Sequence, residues 1–598
     1  MNEIGYLIEN HYKDCLPSNT INKISSILSN CGIKTESKMT YKSSINTHSL
    51  RLVIKGTDIG SNGKGMSEQF AMASAYAEFI ERLENLHLDS FTNLIPDKQY
   101  GFYLYPDEKL LSLSELTAQK DPFFSMYLKN NGNNIDAFRK LHTLDYSRTK
   151  IEDTFISVPF FDYKERKEMY LPYTIYRPWY GSNGMCAGNT PEEAIVQGIS
   201  EILERSVMRK VISEKIALPE IPESYLKKYS DIYERYKSLN DNPMYLVKLL
   251  DCSLGGVFPV VGLLVVEKNT GNYGLKFGAH PCFRIAIERT MTEASQCQDF
   301  ISFVKNSYLD FSNENVFSEE NLSSCFMTGQ GQYPFQLFSA KPRYKFCEPS
   351  DNSNLSNKEL LSKMIDEIQG RGYHVLIRNV SYLGFPVFHV IVPGLSETGI
   401  ANRSDYEMIH LLNKSVDLFR YPERVNEHNA KTLIDILEHF SYQHYLSFFM
   451  HTQHTQHIPF EYAGRSAIYY CAILYIALGD YASGIEILTD ISRDISMNVI
   501  TDEDRDWLLA LLYYLSAKTN LHSHNEIMEY MNLFFDKRLC DRLNECFDTI
   551  NSNMFNHKLF EKLTFKYEKN EIDEYVYSIM KNNKQLMIDS MPKQFRVV

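Results

Sequence analysis

The apolar positions change period several times along the chain. Leu50, Leu52 and Ile54 alternate with other residues, which predicts a half-buried strand. Ile21, Ile24, Leu28 and Cys31 instead recur at helical spacing, and Gly32 stops that helix. Alternation or short apolar runs predict further strands at Thr154–Phe161, Met169–Tyr176, Tyr245–Leu250, Val257–Glu267, Tyr273–Phe277, Tyr373–Val380 and Pro386–Val392. Helical patterns run to about Leu86, from Thr190 to about Glu214, from Phe283 to about Phe303, and over Lys358–Gln369. Thr190-Pro191-Glu192-Glu193 reads as an N-cap, a proline at the first helical position and early acids. Mixed helices and hairpin-like strand pairs predict an α+β fold with helices packed on antiparallel sheets.

Two stretches interrupt the pattern and read as insertions. One, near 97–180, is aromatic and irregular; the other, 306–357, is rich in Ser and Asn. After Pro422 strand patterns stop. Helices are expected at Ala430–Met450, Arg465–Leu478, Tyr481–Ile491 and Glu503–Thr519, with weaker ones to Lys584. Tyr469 to Tyr481, with Gly479 in a tight turn, resembles a tetratricopeptide hairpin, although the repeat period is poor. The expected division is 1–422 and an all-α domain at 423–598.

Composition narrows the class. Apolar content of 44% and charged content of 23% are ordinary for a globular protein, and 598 residues leave room for more than one domain. A net charge of −13 argues against broad nucleic-acid binding. The eleven cysteines form no Cys-x-x-Cys, no signal-peptide pattern opens the chain, and Phe258–Val266 is far too short to span a bilayer. A cytoplasmic protein without membrane or direct nucleic-acid contact is expected.

Two stretches look alike. Asn62-Gly63-Lys64-Gly65 precedes Ser74 to Arg82, and Ser182 to Asn189 precedes Ser200 to Arg205. Each has a Gly-rich segment, read as a turn, and a helix ending in Glu-x-x-Glu-Arg. Glu78 and Glu81 share a helix face, as do Glu201 and Glu204. A single such face is ordinarily a solvated ion-pair surface. Here apolar flanks and duplication point to a site. Several carboxylates held together need cations, and oxygen ligands with few protein carboxylates suit Mg2+ on a nucleotide phosphate chain. Gly63-Lys64-Gly65 lacks Walker A spacing and reads as structural.

The chain resembles the YcaO family through Asn62–Arg82, Ser182–Arg205 with Leu218-Pro219-Glu220-Ile221-Pro222, and Gly278-Ala279-His280-Pro281 through Gln296. Ser253-Leu254-Gly255-Gly256 and Ile391-Val392-Pro393-Gly394 fit as well. The resemblance covers about residues 5–420 and implies ATP- and Mg2+-dependent phosphorylation of a peptide amide oxygen after a nucleophile has added to the amide carbon. Residue by residue, it implies that Glu78, Glu81, Glu201 and Glu204 hold Mg2+. Arg205 and Arg289 would contact phosphates, with Glu293 and Gln296 nearby. Asn189 and Glu193 would recognise adenosine, Lys13 and Thr20 would add N-terminal nucleotide contacts, and Ser74 opens the first helix motif. Ser74 and Cys186 also fall among the implied nucleotide-binding positions, although Cys186 stands where a relative carries Ser, and Gln197 stands opposite Ser74.

The absence of a Pro-rich tail (the chain ends Met591-Pro592-Lys593-Gln594-Phe595-Arg596-Val597-Val598) and the helical C-terminal part favour the subgroup linked to methylthiolation of a ribosomal protein. Maturation of a ribosomally made peptide by azoline or thioamide formation is the alternative. A third reading is an ATP-switched interaction protein. The expected partners are a peptide or ribosomal-protein substrate, a protein docked on the helical part, and a second copy in a homodimer. His451, His454 and His457 have the most metal-like spacing, but no nearby Cys or carboxylate completes a convincing site, and an inter-helix polar segment is the expected reading. Cys297, beside the third motif, reads as packing.

Overall fold

The computed structural model describes residues 11–57, 59–88, 104–130, 154–296, 307–327, 331–398, 424–439, 460–494 and 502–547, with isolated positions besides. His451, His454, His457 and Cys297 lie outside the described residues.

Three antiparallel sheets dominate the first two thirds of the chain. Helix α1 (Pro17–Asn30) leads into β1 (Thr35–Lys42), β2 (His48–Ile54), β3 (Gly60–Gly65) and then helix α2 (Glu68–Glu84). The Gly-rich segment before α2 is thus a strand and not a turn. It pairs along β2, with Leu50 opposite Gly63.

The middle sheet begins with β4 (Lys109–Ser112), helices α3 (Leu113–Gln119) and α4 (Pro122–Asn130), β5 (Thr154–Asp162) and β6 (Lys167–Pro172). The strand expected over Met169–Tyr176 divides at Pro172, which caps helix α5 (Tyr173–Tyr180). Strand β7 (Met185–Ala187) follows, then helix α6 (Pro191–Ser213), capped by Thr190 with Pro191 at its start as the sequence predicts.

Short helices α7 (Glu223–Leu226) and α8 (Ser230–Asn240) lead to β8 (Tyr245–Asp251), β9 (Val260–Glu267), β10 (Asn272–Ala279) and helix α9 (Phe283–Ala294). The Ser/Asn-rich stretch is not structureless. Its β11 (Ser307–Tyr308) extends the third sheet, and it carries helix α10 (Glu319–Met327). Helix α11 (Asn357–Gly370), β12 (Leu376–Asn379) and β13 (Val387–Ile391) then complete the middle sheet, in the order β4-β5-β12-β13-β7, with β6 on β5.

One unit recurs three times: a terminal or near-terminal strand followed by a helix crossing it closely. Helix α2 packs on β3 and reaches β7; α6 packs on β7 and reaches β10; α9 packs on β10 and reaches β3. The three units close a ring. Small residues make the crossings possible. A Cβ on Gly63 would lie 2.1 Å from Ala71 O, and one on Gly278 would lie 2.5 Å from Thr290 N. In the second unit the small partner is on the helix, where a Cβ on Gly198 would meet Cys186 Sγ at 2.8 Å.

Beyond these sheets come helices α12 (Glu427–His439), α13 (Phe460–Ala477), α14 (Tyr481–Asp494), α15 (Asp502–Asn520), α16 (His524–Phe534) and α17 (Lys537–Phe547). They share a core of their own, including Leu433, Leu474, Leu511 and Leu543. Gly479 takes a positive φ in the α13–α14 turn, which glycine adopts without strain. No helix of the described residues is long and apolar enough to cross a membrane.

Candidate active site

The three helices bring corresponding residues to the ring. Ser67, Ala71, Ala75, Glu78 and Glu81 of the first unit match Thr190, Ala194, Gly198, Glu201 and Glu204 of the second. In the third they match Cys282, Ala286, Thr290, Glu293 and Gln296. Ser67 and Thr190 cap their helices by accepting from Phe70 N at 3.4 Å and Glu193 N at 3.1 Å. Glu78/Glu81, Glu201/Glu204 and Glu293/Gln296 therefore occupy equivalent steps of the three units, Gln296 lying just beyond the end of α9. In this register Asn62 corresponds to Met185 and Gly63 to Cys186.

Cations thread the acids. Arg82 lies 3.6 Å from both Glu78 and Glu81, and Arg205 lies 2.9 Å from Glu201 while donating to Phe326 O at 2.5 Å. In the third unit the cation comes from a strand. Lys64 of β3 pairs with Glu293 and donates to Gln296 Oε1 at 3.1 Å. Arg289 donates to Ala279 O at 2.8 Å and to Gln197 Oε1. Gln197 and Arg289 sit at the step that Ser74, half-buried, holds in the first unit.

The ring charges act on each other. Burial pushes the Glu81 carboxyl up to about 8, with Glu78 and Glu201 adding to the rise and Arg82 opposing it. Burial likewise pushes Glu204 up to about 8, with Glu293 and Glu201 adding and Arg205 opposing. Burial alone would raise Glu293, yet Lys64, Lys276 and Arg205 hold it below the ordinary carboxylate range. Burial lowers Arg289, although Glu204, Glu293, Glu201 and Glu193 pull the other way.

A second polar cluster forms at the start of α6. Glu193 accepts from Asn189 Nδ2 at 3.0 Å and from Asp14 N at 2.9 Å, and Lys13 Nζ lies 3.3 Å away. Thr20 donates to Asn189 Oδ1 at 2.7 Å. Lys13, Thr20, Asn189 and Glu193 are thus brought together. Glu193, Gln197, Glu201 and Glu204 then form a stripe along α6, with Glu201 about 12 Å from Glu193 by helical rise. Cys186 is buried in the β7–α6 seam, its thiol bonding Phe388 O at 3.7 Å, and burial raises its pKa well above the ordinary value.

This donor set fits Mg2+ and a polyphosphate. Burial, with neighbouring carboxylates adding to it, raises Glu81 and Glu204, and a divalent ion would offset the cost of ionising them. Among the described residues no group of three or more His, Cys, Asp or Glu side chains converges as a metal cage. The carboxylate pairs suit an ion that keeps water and phosphate oxygens as its remaining ligands.

Sequence reasoning named the third helix and its Arg289, Glu293 and Gln296, but passed over Lys64, Lys276 and the equivalence of this unit with the other two. Lys64 was hidden in a segment read as a turn. The interval from Gly278 to Thr290 equals those from Gly63 to Ala75 and from Cys186 to Gly198, and that spacing of small residues was the available signal.

A ring of paired carboxylates and cations on glycine-seamed strand–helix units suits a metal-bound nucleotide, and comparison with known proteins agrees. The YcaO family, described as a YcaO cyclodehydratase that is ATP- and Mg2+-binding, matches residues 62–396. The chain belongs to the YcaO family, and ATP and Mg2+ are its cofactors. It is 31% identical over 342 residues to an uncharacterized protein of Haemophilus influenzae, covering 56% of this chain and 57% of that one. It is 30% identical over 338 residues to the Escherichia coli ribosomal protein S12 methylthiotransferase accessory factor YcaO, covering 56% and 57%. The chain therefore spans little more than half the length of these relatives. Among solved structures, a heterocyclase in complex with substrate and cofactor gives a TM-score of 0.43 at 19% identity, covering 64% of this chain and 53% of that one. YcaO from Methanopyrus kandleri bound with AMPPCP and Mg2+ gives 0.40 at 18% identity, covering 64% and 91%.

Proposed function

We propose that this chain is an ATP- and Mg2+-dependent enzyme that activates a peptide backbone amide. The observation that carries this reading is the ring of carboxylates and cations, with Glu81 and Glu204 held up to about 8. Glu78, Glu81, Glu201 and Glu204 would hold Mg2+, and the second of each pair, Glu81 and Glu204, would give up its proton on metal binding. Arg205 and Arg289 face the phosphates, with Glu293 and Gln296 beside them. Asn189, Glu193, Lys13 and Thr20 take the adenosine end. Cys186 packs the seam and leaves the nucleotide to its neighbours. When bound, ATP and Mg2+ supply a phosphoryl group and the charge that steadies its transfer. The nucleophile adds to the amide carbon, the amide oxygen accepts the phosphoryl group, and the C–O bond breaks with loss of phosphate.

The relative named as an accessory factor of ribosomal protein S12 methylthiotransferase supports a ribosomal-protein substrate. Residues 423–598 serve as a separate tetratricopeptide-like domain that docks a protein, within a cytoplasmic homodimer. The test is incubation with ATP, Mg2+ and candidate peptides while ADP, AMP, phosphate and peptide mass are followed. Loss of water or replacement of oxygen by sulfur in the peptide would identify azoline or thioamide formation. ATP turnover with unchanged peptide mass would favour a nucleotide-switched interaction protein, and absence of nucleotide binding would sink the proposal.

A further inference from the structure

A second group of cations lies beside the ring and shares Arg82 with it. Arg82 Nη1 and Arg177 Nη1 both approach Met185 Sδ, at 3.6 Å and 3.8 Å. Arg177 also donates to Gly181 O at 3.0 Å and to His87 Nδ1. A guanidinium only donates, so His87 accepts at Nδ1 and carries its proton on Nε2. Burial, with Arg177 and Arg82 close by, keeps that ring neutral. The neighbouring His389 is also neutral, and its Nε2 is engaged by Asn183 O at 3.1 Å. No carboxylate is paired with Arg177 among the described residues, and neither Arg177 nor His87 is fully buried. Two guanidinium groups thus meet at Met185 Sδ with the His87 ring against one of them, and among the described residues Glu78 and Glu81, at 3.6 Å from Arg82, are the carboxylates paired with this group.

We infer that Arg177, His87 Nε2 and Arg82 form an oxyanion subsite next to the glutamate ring. Resting on the proposed amide activation, the subsite takes either a carboxylate of the peptide substrate or the phosphate that leaves. A planar guanidinium matches both anions through paired hydrogen bonds, and the neutral imidazole adds a donor without further charge repulsion.

The experiment uses the full chain saturated with Mg2+ and a non-hydrolysable ATP analogue, so that the other cations are engaged. Inorganic phosphate, N-acetyl-aspartyl amide and its uncharged asparaginyl counterpart are titrated by calorimetry. One anion is expected to bind and the asparaginyl probe is not. Arg177→Gln should weaken that binding about tenfold, while analogue affinity changes less than about twofold; Arg177→Lys should recover part of the loss. Binding of phosphate alone assigns the subsite to product, and binding of the aspartyl probe assigns it to substrate. If the wild-type complex binds neither anion, or if Arg177→Gln binds as well as wild type, the inference is overturned. Should Arg177→Gln fail to fold, the wild-type titration and Arg177→Lys still decide. Failure of the wild type to take the analogue would overturn the proposed function instead.

Discussion

The first and second strand–helix units solve one packing problem in opposite ways. In the first the strand residue is small, with Gly63 against Ala75; in the second the helix residue is small, with Cys186 against Gly198. Both bring a helix onto a strand closely enough for a Glu-x-x-Glu pair to face the ring. What the two share is a close crossing that leaves no room for a Cβ at one position of the pair, and the side of the seam that carries the glycine differs between them. Cys186 fills this seam against Gly198, and burial raises its thiol pKa.

Several substitutions would break or sharpen this comparison. The largest effect is expected at Gly63→Val, where added atoms meet the Ala71 carbonyl and the backbone of Ala75; it should cost about 3 kcal/mol or more in urea denaturation. Glu78→Gln should leave the fold intact and weaken Mg2+–ATP binding about 100-fold, or roughly 2.7 kcal/mol, by calorimetry. Unaltered binding would reject Glu78 as a ligand.

The pH dependence comes next. Glu81 and Glu204 rise from 4.5 to about 8 in the folded chain. Between those values the folded state binds more protons than the unfolded state, so nucleotide-free stability should decline as pH rises through this window and level off above it. Metal binding expels those protons, so Mg2+–ATP affinity should rise with pH towards about 8, by up to about tenfold per unit for each proton displaced. A flat affinity profile would remove both carboxyls from the site. The smallest effect is the swap in the second seam. Gly198→Ala alone should cost about 2 kcal/mol, and adding Cys186→Gly should recover about half. Strict additivity in the double-mutant cycle would show that the two residues do not share the space.

Much of this was legible in the chain. Thr190-Pro191-Glu192-Glu193 fixed the start of α6 because capping and proline effects act over a few residues. The hairpin strands β8, β9 and β10 followed from their apolar runs. The glycines of β3 misled, because turn chemistry and close helix approach both select glycine and sequence alone does not separate them. Residues after Pro172 read as strand because their aromatics suit either element, and only packing decides. Lys64 and Lys276 carry no local signature at all, since their role depends on Glu293, brought to them by another unit.

The middle sheet sets the timetable for this protein's synthesis. Strand β7 emerges early, yet its partner β13 lies at Val387–Ile391, and β5 waits for β12 at Leu376–Asn379. At roughly 5–20 residues per second, about 10–40 s separate these partners on a translating ribosome. Throughout that interval β7 has an unpaired edge and α6 carries its acids without the sheet beneath them. A nascent chain stalled before Val387 is therefore expected to need a chaperone, whereas one released beyond Ile391 can close the ring.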